Sequence, residues 1–290
     1  MSVSNYRASE SFYFPVILNS TNLVSSNANL NQYRYTFPTG AITFSDSSIA
    51  VSNVQIFYSW YNISASAGNN SYTLVFLGTP YVITMPSGYY SVSSLNEYLQ
   101  QQMVANNLYL INSTGEYVYY AEYLENSTYY SIQLNCYPVP TSLPVGWSNP
   151  GIVLPGTAET PQITIAANAF RDIIGFAAGT FPSVVQATTY SALSTSTPAV
   201  TPVSSVLLTC SLVNNRYSIP GTILYSFTAA GVGYGNLIDS APSEYSFVSI
   251  QDGNYTSFDI TFLDQSFNPL VMRDSNVCLT FLIKNRLDKY

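Results

Sequence analysis

Along the stretch VSNVQIFYSWYNI, Val54, Ile56, Tyr58 and Trp60 alternate with Gln55, Phe57, Ser59 and Tyr61. This is period two with both faces fairly apolar, as expected for a strand covered on both sides. The polar run SASAGNN follows, and SYTLVFL then returns to strand character. Together they predict a β-hairpin, with the polar run as its loop. Upstream, FYFPVIL (12–18) predicts an anchoring strand within an otherwise Ser- and Asn-rich arm, and QYRYTF and AITF read as further strands.

The middle of the chain changes period. ITMPSGYYSVSSLNEYLQQQM reads as strand, turn and helix. Ser93 or Ser94 suits the N-cap, and with Ser94 there Glu97 completes a capping box. Leu95, Tyr98, Leu99 and Met103 share one helical face. EYVYYAEYL and YYSIQLNCY predict a hairpin around ENST. A proline-rich loop spans 138–161, and ITIAANAFRDIIGF reads as a short strand and a short helix ended by Gly175.

The Pro/Ser/Thr-rich stretch 183–204 suits a linker. Beyond it SVLLTCSLV, GTILYSFTA, SEYSFVSI, SFDITFLD and VCLTFLIK are evenly spaced short strands, the signature of a sandwich or jelly roll. The expected fold is mainly β: a single jelly-roll sandwich built from both ends, with a small β-rich α+β domain inserted. The expected boundaries are an N-terminal arm at 1–30, a discontinuous jelly roll at 31–77 and 188–290, and an inserted outer domain at 78–187.

Composition sharpens this. The chain has 290 residues, 47% hydrophobic and only 8% charged, with 26 Tyr. Charged residues usually make up about 25%, so the surface must be Ser, Thr, Asn, Gln and Tyr. Such a surface is weakly defended against self-association, which fits burial against other copies in an assembly. Adhesins and sugar-binding modules share the composition. The net charge is −7 and there is no basic stripe, so no specific nucleic-acid partner is expected. The one basic cluster is Lys284, Arg286 and Lys289, read as a solubilising tail.

Cys136, Cys210 and Cys278 are widely spaced and read as buried, reduced thiols from an intracellular folding site. MSVSNYRASESFYFPV lacks a signal-peptide pattern. No apolar run approaches the ~20 residues of a transmembrane helix. Sequons at Asn19, Asn62, Asn69, Asn112, Asn126 and Asn254 are no more than a chain this rich in Asn, Ser and Thr carries by chance.

The chain has no histidine. That removes Ser-His-Asp and Cys-His catalysis and the usual zinc and non-haem iron sites. GVGYG (231–235) lacks the strand-then-helix context of a phosphate loop and reads as a turn. A carboxylate pair for glycoside hydrolysis would have to come from Asp239, Glu244, Asp252, Asp259, Asp264 and Asp274. Most of these sit beside turn formers, and Asp259 and Asp264 would face opposite sides of one strand. No enzyme is expected, and no catalytic, cofactor-binding or metal residue is assigned.

Four pieces carry a family resemblance: YSWYNIS…NNSY; ITMPSGYYSVSSLNEYLQQQM; FRDIIGF; and LLTCSLVNNRY…ILYSF…DITFLDQSFNPLVMRDSNVCLTFLI. In this order they resemble the penton (vertex minor capsid) proteins of virophages, Maverick/Polinton elements and related double-jelly-roll viruses. The resemblance covers most of 50–284. It implies a homopentamer closing the fivefold vertex of an icosahedral capsid beside the virion's major capsid protein, assembled in the cytoplasm of the infected host cell. Tyr58, Trp60, Tyr225, Phe227 and Phe262 would then be core residues. The rival expectation is a carbohydrate-binding or host-attachment β-sandwich with a host surface glycan as partner. Its site would lie among Tyr117, Tyr119, Tyr120, Tyr123, Tyr129 and Tyr130.

Overall fold

The computed structural model describes residues 11–286. The first strands are β1 (Ser11–Asn19), β2 (Gln32–Thr36) and β3 (Ser48–Phe57). Pro15 sits mid-strand in β1, opposite Leu282. β1 ends its sheet, so the proline nitrogen, which cannot donate, is tolerated toward the free edge. β3 stops at Phe57, and Tyr58 exchanges backbone hydrogen bonds with Gly235 and Asn236. The chain leaves this unit after Trp60 and rejoins it at Val203.

The second unit, Tyr61–Pro202, contains β4 (Ser71–Phe76), β5 (Thr79–Thr84), α1 (Val92–Ala105), β6 (Ala121–Asn126) and β7 (Ser131–Cys136). It continues through β8 (Gln162–Ile165), α2 (Phe170–Ile174), β9 (Gly179–Phe181) and β10 (Tyr190–Leu193). One sheet runs β9-β8-β4-β5 and another β10-β7-β6. On β4, Tyr72, Leu74 and Phe76 point inward while their neighbours are half-buried. α1 contributes Val92, Leu95, Leu99 and Met103 to the same core. Its N-cap is Ser91, whose hydroxyl accepts the Ser94 N–H at 3.1 Å. That is upstream of the expected cap, and Glu97 instead accepts from Ser93 Oγ at 3.2 Å. α2 ends at Gly175 with φ 73°, where a Cβ would lie 2.2 Å from the Ser196 carbonyl, so only glycine fits.

The first unit resumes with β11 (Val206–Cys210), β12 (Ile223–Phe227), β13 (Leu237–Ser240), β14 (Ser257–Asp264) and β15 (Val277–Arg286). One sheet runs β1-β15-β3-β13 and the other β12-β11-β14-β2, with every pairing antiparallel. Counted along this unit alone, the orders are 1-8-3-6 and 5-4-7-2. These are the two sheets of an eight-stranded jelly roll. Phe258, Ile260 and Phe262 on β14 and Leu279, Phe281 and Ile283 on β15 are buried at alternate positions. Each such side chain contributes roughly 1.5–3 kcal/mol on burial. Tyr58, Trp60, Phe227 and Phe262 are buried with them, while Tyr225 is half-buried.

Several expectations need correction. β4 is not the return strand of a hairpin with β3; it pairs with β5 and β8. The polar run therefore carries the chain into a new core rather than back along the same sheet. The boundaries 77/78 and 187/188 fall inside the second unit, because β4 and β10 pair only with strands of that unit. The Pro/Ser/Thr-rich stretch is no free linker, since β10 lies within it and pairs with β7. β1, placed in the arm, is a full strand of the jelly roll paired along all nine residues with β15.

Asn62 joins the two ends of the second unit. Its Nδ2 donates to the Tyr90 carbonyl at 2.8 Å and to the Val200 carbonyl at 2.7 Å, and its Oδ1 accepts the Tyr90 N–H at 2.8 Å. Asn69 Nδ2 in turn donates to the Asn62 carbonyl, and Asn69 Oδ1 accepts the Ser64 N–H. Both side chains are buried.

Three outcomes are expected. Replacing 62–201 with a short Gly/Ser linker leaves a chain that melts cooperatively with β circular dichroism, because the bonded ends are already adjacent. Replacing only 79–187 strips β4 and β10 of their partners and gives an aggregating product. Asn62→Asp turns a donor facing two carbonyls into an acceptor. It should lower stability by about 3 kcal/mol or more in chemical denaturation, the scale of several buried unsatisfied groups, whereas Asn19→Asp at an exposed sequon should shift it little.

Candidate functional site

Four of the six candidate carboxylates are engaged by local partners. Asp259 projects outward from β14 and takes a bidentate pair from Arg34, at 2.6 and 2.8 Å. The hydrogen-bonding guanidinium holds this carboxyl below the usual carboxylate range. Asp264 closes a turn, accepting from the backbone N–H groups of Ser266 and Asn268. Asp252 accepts the Asp46 N–H and Asp274 the Asn276 N–H. Among the described residues no three His, Cys, Asp or Glu side chains gather where they could hold a metal ion. GVGYG is a loop between β12 and β13, with Gly231 and Gly235 at φ 79° and 81°.

Two of the three thiols are held in a form that reacts poorly. Cys136 and Cys210 are buried, and burial pushes both up to about 12. A thiol held protonated is a poor nucleophile. Cys278 is half-buried. Of the basic cluster, Lys284 Nζ lies 5.9 Å from the Phe247 ring centroid, a cation–π distance. Lys289 and the Arg286 side chain lie outside the described residues.

The first unit also exposes apolar side chains. On β1, Phe12, Tyr13, Phe14 and Ile17 are 40–55% exposed. Tyr13 packs its ring 5.9 Å from Phe247, which lies 6.4 Å from Tyr245. A long apolar edge strand of this kind marks either an aggregation hazard or a partner surface. Pro15 blunts the hazard by withholding one edge donor.

The tyrosines of the second unit divide sharply. Tyr120 and Tyr123 are core residues, buried with Tyr72, and the hydroxyls of all three lack a hydrogen-bond partner. Tyr72 stacks on Phe170 at 5.0 Å and meets Tyr123 edge-on at 6.0 Å. Neither Tyr120 nor Tyr123 can therefore touch a sugar. Tyr117 is exposed and Tyr119 half-buried, and both pack against Tyr109, Tyr117 at 4.5 Å. Tyr129 and Tyr130, at the tip of the β6–β7 hairpin, are 69% and 74% exposed. Tyr130 has φ 50°, an uncommon conformation for an aromatic residue. Asn126 braces the tip, its Oδ1 accepting the Tyr129 N–H and its Nδ2 donating to Gln133. Period-two counting from Tyr123 places Glu125 on the inward side of β6, and only the turn geometry reveals that it faces solvent.

Thiol labelling of the native chain should modify Cys278 first and leave Cys136 and Cys210 unmodified, with all three reacting after denaturation. Mass mapping of the labelled peptides checks this, and early labelling of Cys210 would contradict the buried β11 register.

No protein-family model matches the chain, and no curated protein matches it. Among solved structures it is similar to the penton protein of mavirus, with 10% identity and a TM-score of 0.42 over 96% of this chain and 100% of that one. It is also similar to a chain of the Sputnik virophage, solved by cryo-EM, with 10% identity and a TM-score of 0.39 over 98% of this chain and 100% of that one.

Proposed function

We propose that the chain is a structural capsid protein that forms the pentameric vertex capsomer of an icosahedral virus, assembling beside the major capsid protein in the infected cell. The observation that carries this reading is the eight-stranded jelly roll combined with a charge-poor surface and an exposed apolar edge strand, β1. Jelly rolls serve capsids, lectins and cupins, and the fold alone does not choose among them. A chain without histidine lacks the usual ligand of a metal-binding cupin. The ordered motifs from YSWYNIS to the C-terminal strands favour the capsid over the lectin.

The mechanism is assembly rather than chemistry. A five-membered ring uses heterologous contacts that close by rotation. Obligate interfaces of this type are large and apolar, and a chain with only 8% charged residues has few charges to desolvate when its surface is covered.

Light scattering and negative-stain microscopy test the reading. The expected particle is a ring of five copies of 31.8 kDa, about 159 kDa. A 31.8 kDa species alone at micromolar concentration, with no fivefold rings in virions, would remove the proposal.

A further inference from the structure

A hollow of about 250 Å³ lies in the second unit, where the tip of the β6–β7 hairpin, the start of α1 and the segment after β10 face one another. Tyr89 and Tyr130 line it with Glu125, Asn126, Ser127 and Thr201. We propose that this hollow binds one neutral sugar residue, such as the terminal hexose or N-acetylhexosamine of a glycan.

The lining carries the argument. Among the described residues the Glu125 carboxylate and the side-chain hydroxyls of Ser127, Tyr130 and Thr201, all exposed, make no hydrogen bond or ion pair. An ionised carboxylate only accepts hydrogen bonds, so its partner must donate. Hydroxyls both donate and accept. Ser91 and Val92, at the first turn of α1, also line the hollow, and a helix start presents backbone N–H groups without intrahelical partners. The complementary ligand is uncharged, dense in hydroxyls, and has an apolar face to lie against a tyrosine ring.

Other ligands fit less well. A cation would suit Glu125 and two tyrosines, but the N-terminal end of α1 carries partial positive charge. An anion would meet Glu125. The volume is below the roughly 300–1,000 Å³ of drug-sized pockets, which suits a single ring rather than an oligosaccharide. Tyr130 reinforces the assignment. Its left-handed backbone is strained, and such strain gathers at ligand-binding positions. That conformation keeps a mostly exposed aromatic ring at the rim.

The inference stands apart from capsid assembly: ring formation and sugar binding can each fail without the other. Saturation-transfer NMR on the full chain tests it, using a panel of free neutral hexoses and N-acetylhexosamines with choline as the cationic probe. Transfer to at least one neutral sugar and not to choline is expected. Tyr130→Asn removes the ring while tolerating the left-handed backbone, and Glu125→Gln keeps the shape without the charge. Each should weaken binding at least about tenfold, a hot-spot-sized loss, with the thermal melt not lowered. Absence of transfer to every sugar, preference for choline, or transfer unaffected by Tyr130→Asn would each overturn the inference.

Discussion

The buried amide of Asn62 ties the start of the inserted unit to its end. The second unit must begin and end at nearly the same place, because β3 and β11, the strands on either side of it, are consecutive members of one sandwich. Asn62 meets that demand by bonding both to the segment before α1 and to Val200 near the chain's return. Each of these part-buried carbonyls would otherwise lose its side-chain donor, and an acceptor left unsatisfied away from water costs more than the bond itself contributes. Asn69 repeats the device one turn later by holding the Asn62 backbone. The same burial closes two of the six sequons to modification in the folded chain.

Local periodicity made much of the fold legible. The alternation of β14 and β15, the apolar face of α1, the β6–β7 hairpin and the Gly175 stop are all written within windows of a few residues. Partner choice is not. β4 looks the same whether it returns along β3 or pairs with β8, and Gln162 on β8 lies far down the chain from its partner Val75. β10 was hidden for a related reason: Tyr190–Leu193 is four residues long, and its strand character comes from the ladder with β7. Ser91 and Ser94 carry identical capping chemistry, so only geometry selects between them.

The candidate sites followed the same division. The turn role of Asp264 was readable, since it sits among turn formers. The six tyrosines of the second unit could not be sorted by pattern, because Tyr120 and Tyr123 enter the core while Tyr129 and Tyr130 leave it within one hairpin. Exposure there depends on a turn conformation, and the turn depends on Asn126. The jelly roll presents a broad apolar edge suited to other copies of a protein, and the second unit presents a small polar hollow suited to a small molecule. The two kinds of surface sit on separately packed cores.

The pairing of β1 with β15 also fixes an order of events during synthesis. Ser11 lies opposite Arg286, so one sheet of the jelly roll cannot be completed until nearly the whole chain has left the ribosome. The second unit is contiguous in sequence, and all its strands are present once about residue 202 has emerged. Domains fold as units as they are made, and contacts between distant segments form slowly. The inserted unit is therefore complete while β1, β2 and β3 still await their partners. During that interval the apolar face of β1 is exposed on both sides, which makes nascent chains on one messenger the copies most able to capture one another prematurely.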